Sequence, residues 1–139
     1  MWESGVERPG TMSAIVGLAG AEVEALCRET SSRGVVSVAN YNSPIQVVIS
    51  GEPDAVAVVS EKATSRGAKR VIPLKVSGAF HTELMGEPAE KLRKVLSKAS
   101  IEDPSIPVVA NCSGQMVRDS SSVMDALERQ MLSPVLWVD

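Results

Sequence analysis

Val35-Val36-Ser37-Val38-Ala39-Asn40-Tyr41-Asn42-Ser43-Pro44-Ile45-Gln46-Val47-Val48-Ile49 sets two runs of β-branched residues on either side of a turn-rich interruption. Such side chains suit a half-buried pleated surface, while Asn, Ser and Pro supply turn chemistry. The spacing predicts two strands joined as a hairpin, the first breaking at Asn40. On the amino side, Met12 to Val16 is a short apolar run ended by Gly17, after which Val23, Leu26 and Cys27 recur at helical spacing. On the carboxyl side, Gly51-Glu52-Pro53-Asp54 opens a helix, with Pro near its first position and acids where the helix dipole favours them. Ala55, Val56, Val59 and Ala63 form its apolar stripe, and Gly67 stands where a left-handed cap would end it. Arg70 to Leu74 then forms a fourth apolar run containing the helix breaker Pro73. The order β-α-β-β-α-β between Met12 and Lys75 is the split βαβ, or ferredoxin-like, arrangement, within the α/β (α+β) class.

Past Lys75 the pattern changes. Ala89, Leu92, Val95, Leu96 and Ala99 mark an amphipathic helix, Pro107 to Asn111 a short strand, and Val123, Met124, Leu127 and Met131 another helix. These elements show no closed core of their own and are expected to form the edge of a second layer. The expected division is a linker remnant over 1–11, a small ferredoxin-like subdomain over 12–75, and part of a larger subdomain over 76–139.

Composition narrows the classes of function. A chain of 139 residues is one domain or a domain and a fraction. Hydrophobic residues make up 44% but include one Phe, one Tyr and two Trp, so aliphatic side chains must build the core. The net charge of −3, with no basic cluster longer than Lys69-Arg70, argues against a nucleic-acid partner. Cys27 and Cys112 fit neither a metal-binding spacing nor a disulfide framework and suggest thiols in a reducing compartment, the cytoplasm or an organelle matrix. No apolar run is long enough to span a membrane, and Met1 to Gly10 lacks the apolar centre of a signal peptide.

His81 is the only histidine, so it is the first candidate for a general base near neutral pH. It follows Ser77-Gly78-Ala79, small residues that permit close approach of another backbone or a ligand. The plain alternative is a half-buried loop histidine with a satisfied hydrogen bond. Ser43 and Ser77 are hydroxyls to weigh as nucleophiles, but neither lies in a Gly-x-Ser-x-Gly turn. Cys112 reads as an inert thiol rather than a nucleophile.

Val76-Ser77-Gly78-Ala79-Phe80-His81-Thr82-Glu83-Leu84-Met85 resembles the histidine motif of the malonyl-CoA:acyl-carrier-protein transacylase family, including the acyltransferase domains of fatty-acid and polyketide synthases. Four further stretches match in the same order: Met12 to Leu18, Asn40 to Pro44 with Gln46 to Gly51, Gly67 to Arg70, and Arg129 to Trp137. The resemblance implies that 76–139 is part of an α/β-hydrolase-like acyltransferase domain. It implies that His81 takes the proton of a nucleophilic serine and later protonates the departing thiolate. It further implies that the main-chain carbonyl of the residue matching Gln130 holds that histidine. The residue-level alternative for Gln130 is a polar side chain capping helix-end carbonyls. Phe80 matches a position associated with choosing malonyl over bulkier acyl groups, against plain core packing. Asn40 and Asn42 match asparagines near the family's active site, against turn chemistry.

The implied partners are malonyl-CoA and acyl carrier protein, with no metal or redox cofactor. The family's Gly-Gln-Gly-Ser-Gln motif, its Gly-His-Ser-Leu-Gly serine elbow and its malonyl-binding arginine have no counterpart in this sequence. The expectation is therefore a carboxyl-side fragment, with Met1 an internal methionine and the far end also cut, inactive as a transacylase alone because nucleophile and oxyanion donors are lacking. The competing expectations are a ferredoxin-like binding module for a small ligand or partner, in which His81 is incidental, and a regulatory fragment that docks on carrier protein or on a complete transacylase.

Overall fold

The computed structural model describes residues 9–76 and 78–138. Its strands are β1 (Thr11–Val16), β2 (Val36–Ser43), β3 (Gln46–Gly51), β4 (Arg70–Pro73), β5 (Val108–Val109), β6 (Met116–Val117) and β7 (Val135–Leu136). Its helices are α1 (Gly20–Thr30), α2 (Pro53–Ser65), α3 (Gly86–Leu96) and α4 (Ser120–Arg129), with single 3-10 turns at Ser31–Arg33 and Glu83–Met85. Five strands form one sheet in the order β4-β1-β3-β2-β7, and β5 and β6 form a separate antiparallel pair. Neighbours among the first four strands are antiparallel, whereas β7 runs parallel to β2. Mixed strands and covering helices make the molecule an α/β protein.

Strand alternation divides the sheet into two apolar faces. On one, Ile15, Val38, Val47 and Ile49 pack against Val23, Leu26 and Cys27 of α1 and Val56, Val59 and Ala63 of α2. Each large aliphatic side chain withdrawn here contributes roughly 1.5–3 kcal/mol. Both helical stripes expected from the sequence are buried, and Gly67 has φ +92, the left-handed conformation that a terminating glycine adopts at little cost. The opposite face carries a smaller cluster, Met12, Ala14, Ala39 and Val48, flanked by Leu74 and Phe80. This second face looks toward the histidine loop.

The hairpin departs from expectation. β2 does not break at Asn40 but continues to Ser43, leaving only Pro44 and Ile45 in the turn. Register shifts between Val38 and Asn40 and between Tyr41 and Ser43 absorb the extra residues as bulges. Pairing with β3 on one side and β7 on the other outweighs the local turn tendency of the asparagines. The bulges keep Tyr41 on the helical face, where its hydroxyl donates to Glu24 of α1. β7 was not visible in the sequence, being two residues long, yet it pairs Asn40 with Val135 and Tyr41 with Leu136. Main-chain bonds from Trp137 N–H to the Tyr41 carbonyl (3.1 Å) and from Leu136 N–H to the Asn111 carbonyl (2.8 Å) hold it in place.

Smaller shifts occur elsewhere. Thr11 already belongs to β1, the strand expected over 107–111 shortens to Val108–Val109, and α4 ends before Met131. Most of the expected linker, residues 1–8, lies outside the described residues. α3 and α4 have no fully buried side chain, and Val95, Ile106 and Trp137 are 66%, 71% and 75% exposed. Among the described residues no helix is long and apolar enough to cross a membrane.

Two stability predictions follow from this architecture. Leu26 is 1% exposed beneath the sheet, so Leu26→Ala lowers the free energy of unfolding by about 2–5 kcal/mol, read by urea titration. At the start of α4, Asp119 accepts from the Ser121 hydroxyl and from the main chain and hydroxyl of Ser122, and these donors hold its carboxyl down at about 2. Because the folded value is depressed, the cap's contribution is fully present above the ordinary Asp value of 3.8 and is lost as pH falls through about 2. Asp119→Ala therefore lowers the melting temperature at neutral pH, and the gap from the parent protein closes across that acidic window.

Candidate active site

The loop after β4 is anchored before it reaches His81. Leu74 N–H bonds to the Met12 carbonyl at 2.9 Å, and Gly10 lies so close to Ala79 that a Cβ there would overlap the Ala79 amide nitrogen. Beyond the histidine, the buried Thr82 hydroxyl donates to the Ala79 carbonyl at 2.7 Å and accepts from Leu84 N–H at 3.3 Å. Between these anchors His81 has φ +62, the one positive value among described non-glycine residues. A left-handed backbone at such a residue costs on the order of 1–2 kcal/mol and persists only where its surroundings impose it.

The half-buried imidazole meets the end of α4. Its Nδ1 lies 2.8 Å from the Gln130 carbonyl oxygen and 3.0 Å from that of Ser133. Carbonyl oxygens only accept, so Nδ1 carries the proton and Nε2 of the neutral ring keeps its lone pair. Gln130 is the C-cap of α4, and the Leu132 and Ser133 amides close the following turn on the Arg129 carbonyl, each at 3.1 Å. The Gln130 carbonyl, one of the helix's terminal acceptors, is thereby left for the imidazole.

His81 and Gln130 are thus in hydrogen-bond contact, through the main chain of Gln130. Phe80 is half-buried beside Met12, Ala14, Ala39 and Val48, with Gly78 next to its ring. Asn40 sits half-buried in β2, paired with Val48 of β3 and with Val135 of β7, two residues beyond Ser133. Asn42 is exposed near the end of the same strand, so neither asparagine lies in the turn. Ser43 accepts a turn hydrogen bond from Ile45 N–H at 3.4 Å, and Ser77 lies outside the described residues. Cys112 is buried with its sulfur 3.7 Å from the Ala126 carbonyl; burial, then the Glu24 carboxylate, pushes the Cys27 thiol up to about 12.

Sequence reasoning passed over Gly10, Thr82 and Ser133. Only Ser133, preceding a proline, carried a local signal, because proline restricts the residue before it. Thr82→Val removes the donor to a buried carbonyl and destabilises the protein by about 1–3 kcal/mol, measured by thermal or urea unfolding.

Known proteins share this sequence and fold. The acyl transferase domain model matches residues 4–139. A malonyl CoA-acyl carrier protein transacylase of Salmonella typhimurium is 42% identical over 137 residues, covering 99% of this chain and 44% of that protein. The solved structure of the malonyl CoA-acyl carrier protein transacylase from Coxiella burnetii superposes with a TM-score of 0.91 at 34% identity, over 97% of this chain and 44% of its own. A type II PKS acyl-carrier protein in complex with its malonyl-transacylase matches with a TM-score of 0.91 at 36% identity, over 97% of this chain and 45% of that one. The chain spans less than half the length of the curated relatives it matches. With the family model covering nearly every residue and the fold agreeing, this chain belongs to the acyl transferase domain family.

Proposed function

We propose that this chain supplies the histidine side of the proton relay of an [acyl-carrier-protein] S-malonyltransferase, which moves malonyl from coenzyme A to acyl carrier protein in fatty-acid biosynthesis. The observation that carries the reading is the placement of His81 Nδ1 against two main-chain carbonyl oxygens, which assigns the ring proton to Nδ1 and leaves the Nε2 lone pair as the base. The serine hydroxyl would come from family sequence that these 139 residues do not contain. Nε2 takes the hydroxyl proton as the oxygen attacks the malonyl thioester carbon. It then returns that proton to the departing coenzyme A thiolate, leaving a malonyl-serine ester. In the second half, the carrier protein's phosphopantetheine thiol gives its proton to Nε2 and attacks the ester, and the serine oxygen recovers the proton. One thioester replaces another, and the chemistry calls for no metal or redox cofactor.

Gln130 is the residue whose carbonyl orients the base, and Phe80 borders the acyl side of the site with Asn40 and Asn42 further along β2. The names of the relatives support malonyl-CoA and acyl carrier protein as partners. The order β4-β1-β3-β2 with antiparallel neighbours supports reading 12–75 as a ferredoxin-like subdomain and 76–139 as part of the larger α/β-hydrolase-like one. Two free, buried thiols support a reducing compartment, the cytoplasm or an organelle matrix.

The isolated chain is expected to move no malonyl from coenzyme A to carrier protein above the uncatalysed rate. Fused behind the amino-terminal part of the Salmonella transacylase, it is expected to do so, and His81→Ala then lowers kcat by about 10²–10⁴-fold. A folded, active fusion whose rate survives that substitution contradicts the reading.

A further inference from the structure

We infer that Ser133 is a second positioning residue of this site: its main-chain carbonyl, aimed by Pro134, shares the His81 Nδ1 proton with Gln130 and fixes the tilt of the ring. The inference rests on the reading of His81 as the base. A single acceptor leaves the N–H free to swing to either side of it. Two acceptors at 2.8 and 3.0 Å, three residues apart on a closed turn, confine the N–H to the direction between them and, with the ring tethered at Cβ, narrow the directions in which Nε2 can point. Orientation of a base within hydrogen-bond reach of its proton is what general-base efficiency depends on.

The Ser133 carbonyl is itself held from both sides. Its amide bonds to the Arg129 carbonyl at 3.1 Å, and the next residue but one, Val135, enters β7 opposite Asn40. Between them, Pro134 disfavours helical backbone at Ser133 and offers no N–H of its own, which restrains the direction of the Ser133 carbonyl. The left-handed conformation of His81 completes the arrangement from the other partner. The turn 130–134 is therefore a two-point clamp. The group concerned is the carbonyl, so the serine hydroxyl is dispensable for it.

The test is nuclear magnetic resonance on the isotopically labelled 139-residue chain at alkaline pH, where the imidazole is neutral. The clamp predicts a proton on Nδ1, a bare Nε2, and through-hydrogen-bond scalar couplings from Nδ1 to the carbonyl carbons of both Gln130 and Ser133. Pro134→Ala is expected to lose the Ser133 coupling and to reduce the share of the Nδ1–H tautomer, while Ser133→Ala preserves both signals. Coupling to Gln130 alone in the parent chain overturns the inference, as does a folded Pro134→Ala protein with an unchanged imidazole spectrum. If that variant does not fold, the parent couplings decide by themselves. A parent chain whose neutral ring carries its proton on Nε2 would instead overturn the proposed role of His81.

Discussion

The proposed chemistry depends on one proton, on Nδ1 of His81. Held between the Gln130 and Ser133 carbonyls, it cannot move to the other nitrogen without leaving two acceptors facing a lone pair. The ring is thereby committed to presenting the Nε2 lone pair, the group that acts as base in the proposed relay. In that relay, a main-chain acceptor does what a carboxylate does in a serine-histidine-acid triad: it selects the tautomer and orients the ring. It does so without burying a second ionised group beside the histidine, which would require further hydrogen bonds to offset its desolvation.

The fold brings two distant segments to that proton. One is the loop after β4, fastened to the start of β1 by the close packing of Gly10 on Ala79 and stiffened by the Thr82 hydroxyl. The other is the end of α4, fixed at its start by the Asp119 cap and beyond its end by the pairing of β7 with β2. The bulged strand β2 links these supports, because it carries Asn40 against Val135 while Ala39 packs near Phe80 on the same face. The best-buried part of the protein is the two-faced sheet. The site is built on its margin, where β7 adds a short parallel edge.

Much of the fold was readable because its physical signals are local. Val23, Leu26 and Cys27, then Ala55, Val56, Val59 and Ala63, announced two helices by period alone, and Gly67 marked the end of the second. The continuation of β2 through Asn40 and Asn42 was not readable, since it depends on partners in β3 and β7 rather than on the asparagines themselves. β7 carries only two residues and gives no periodic signal. At the site, a lone histidine between small residues was suggestive but compatible with an ordinary loop. Its pairing with Gln130, 49 positions away, came from the order of motifs and not from spacing. Ser133, Thr82 and Gly10 act through backbone geometry, which side-chain chemistry alone does not reveal.

The second half of the chain, with its sparsely buried helices, is tied to the first by the pairing of β7 with β2, by Gly10 against Ala79 and by Phe80 on the second face of the sheet. The proposed role of this chain in proton relay turns on the state of one ring. Neutron diffraction from deuterated crystals grown at alkaline pH measures it directly. The account predicts a deuteron on Nδ1 lying between the carbonyl oxygens of Gln130 and Ser133, with Nε2 bare. A deuteron on Nε2, with Nδ1 turned away from both carbonyls, would contradict it.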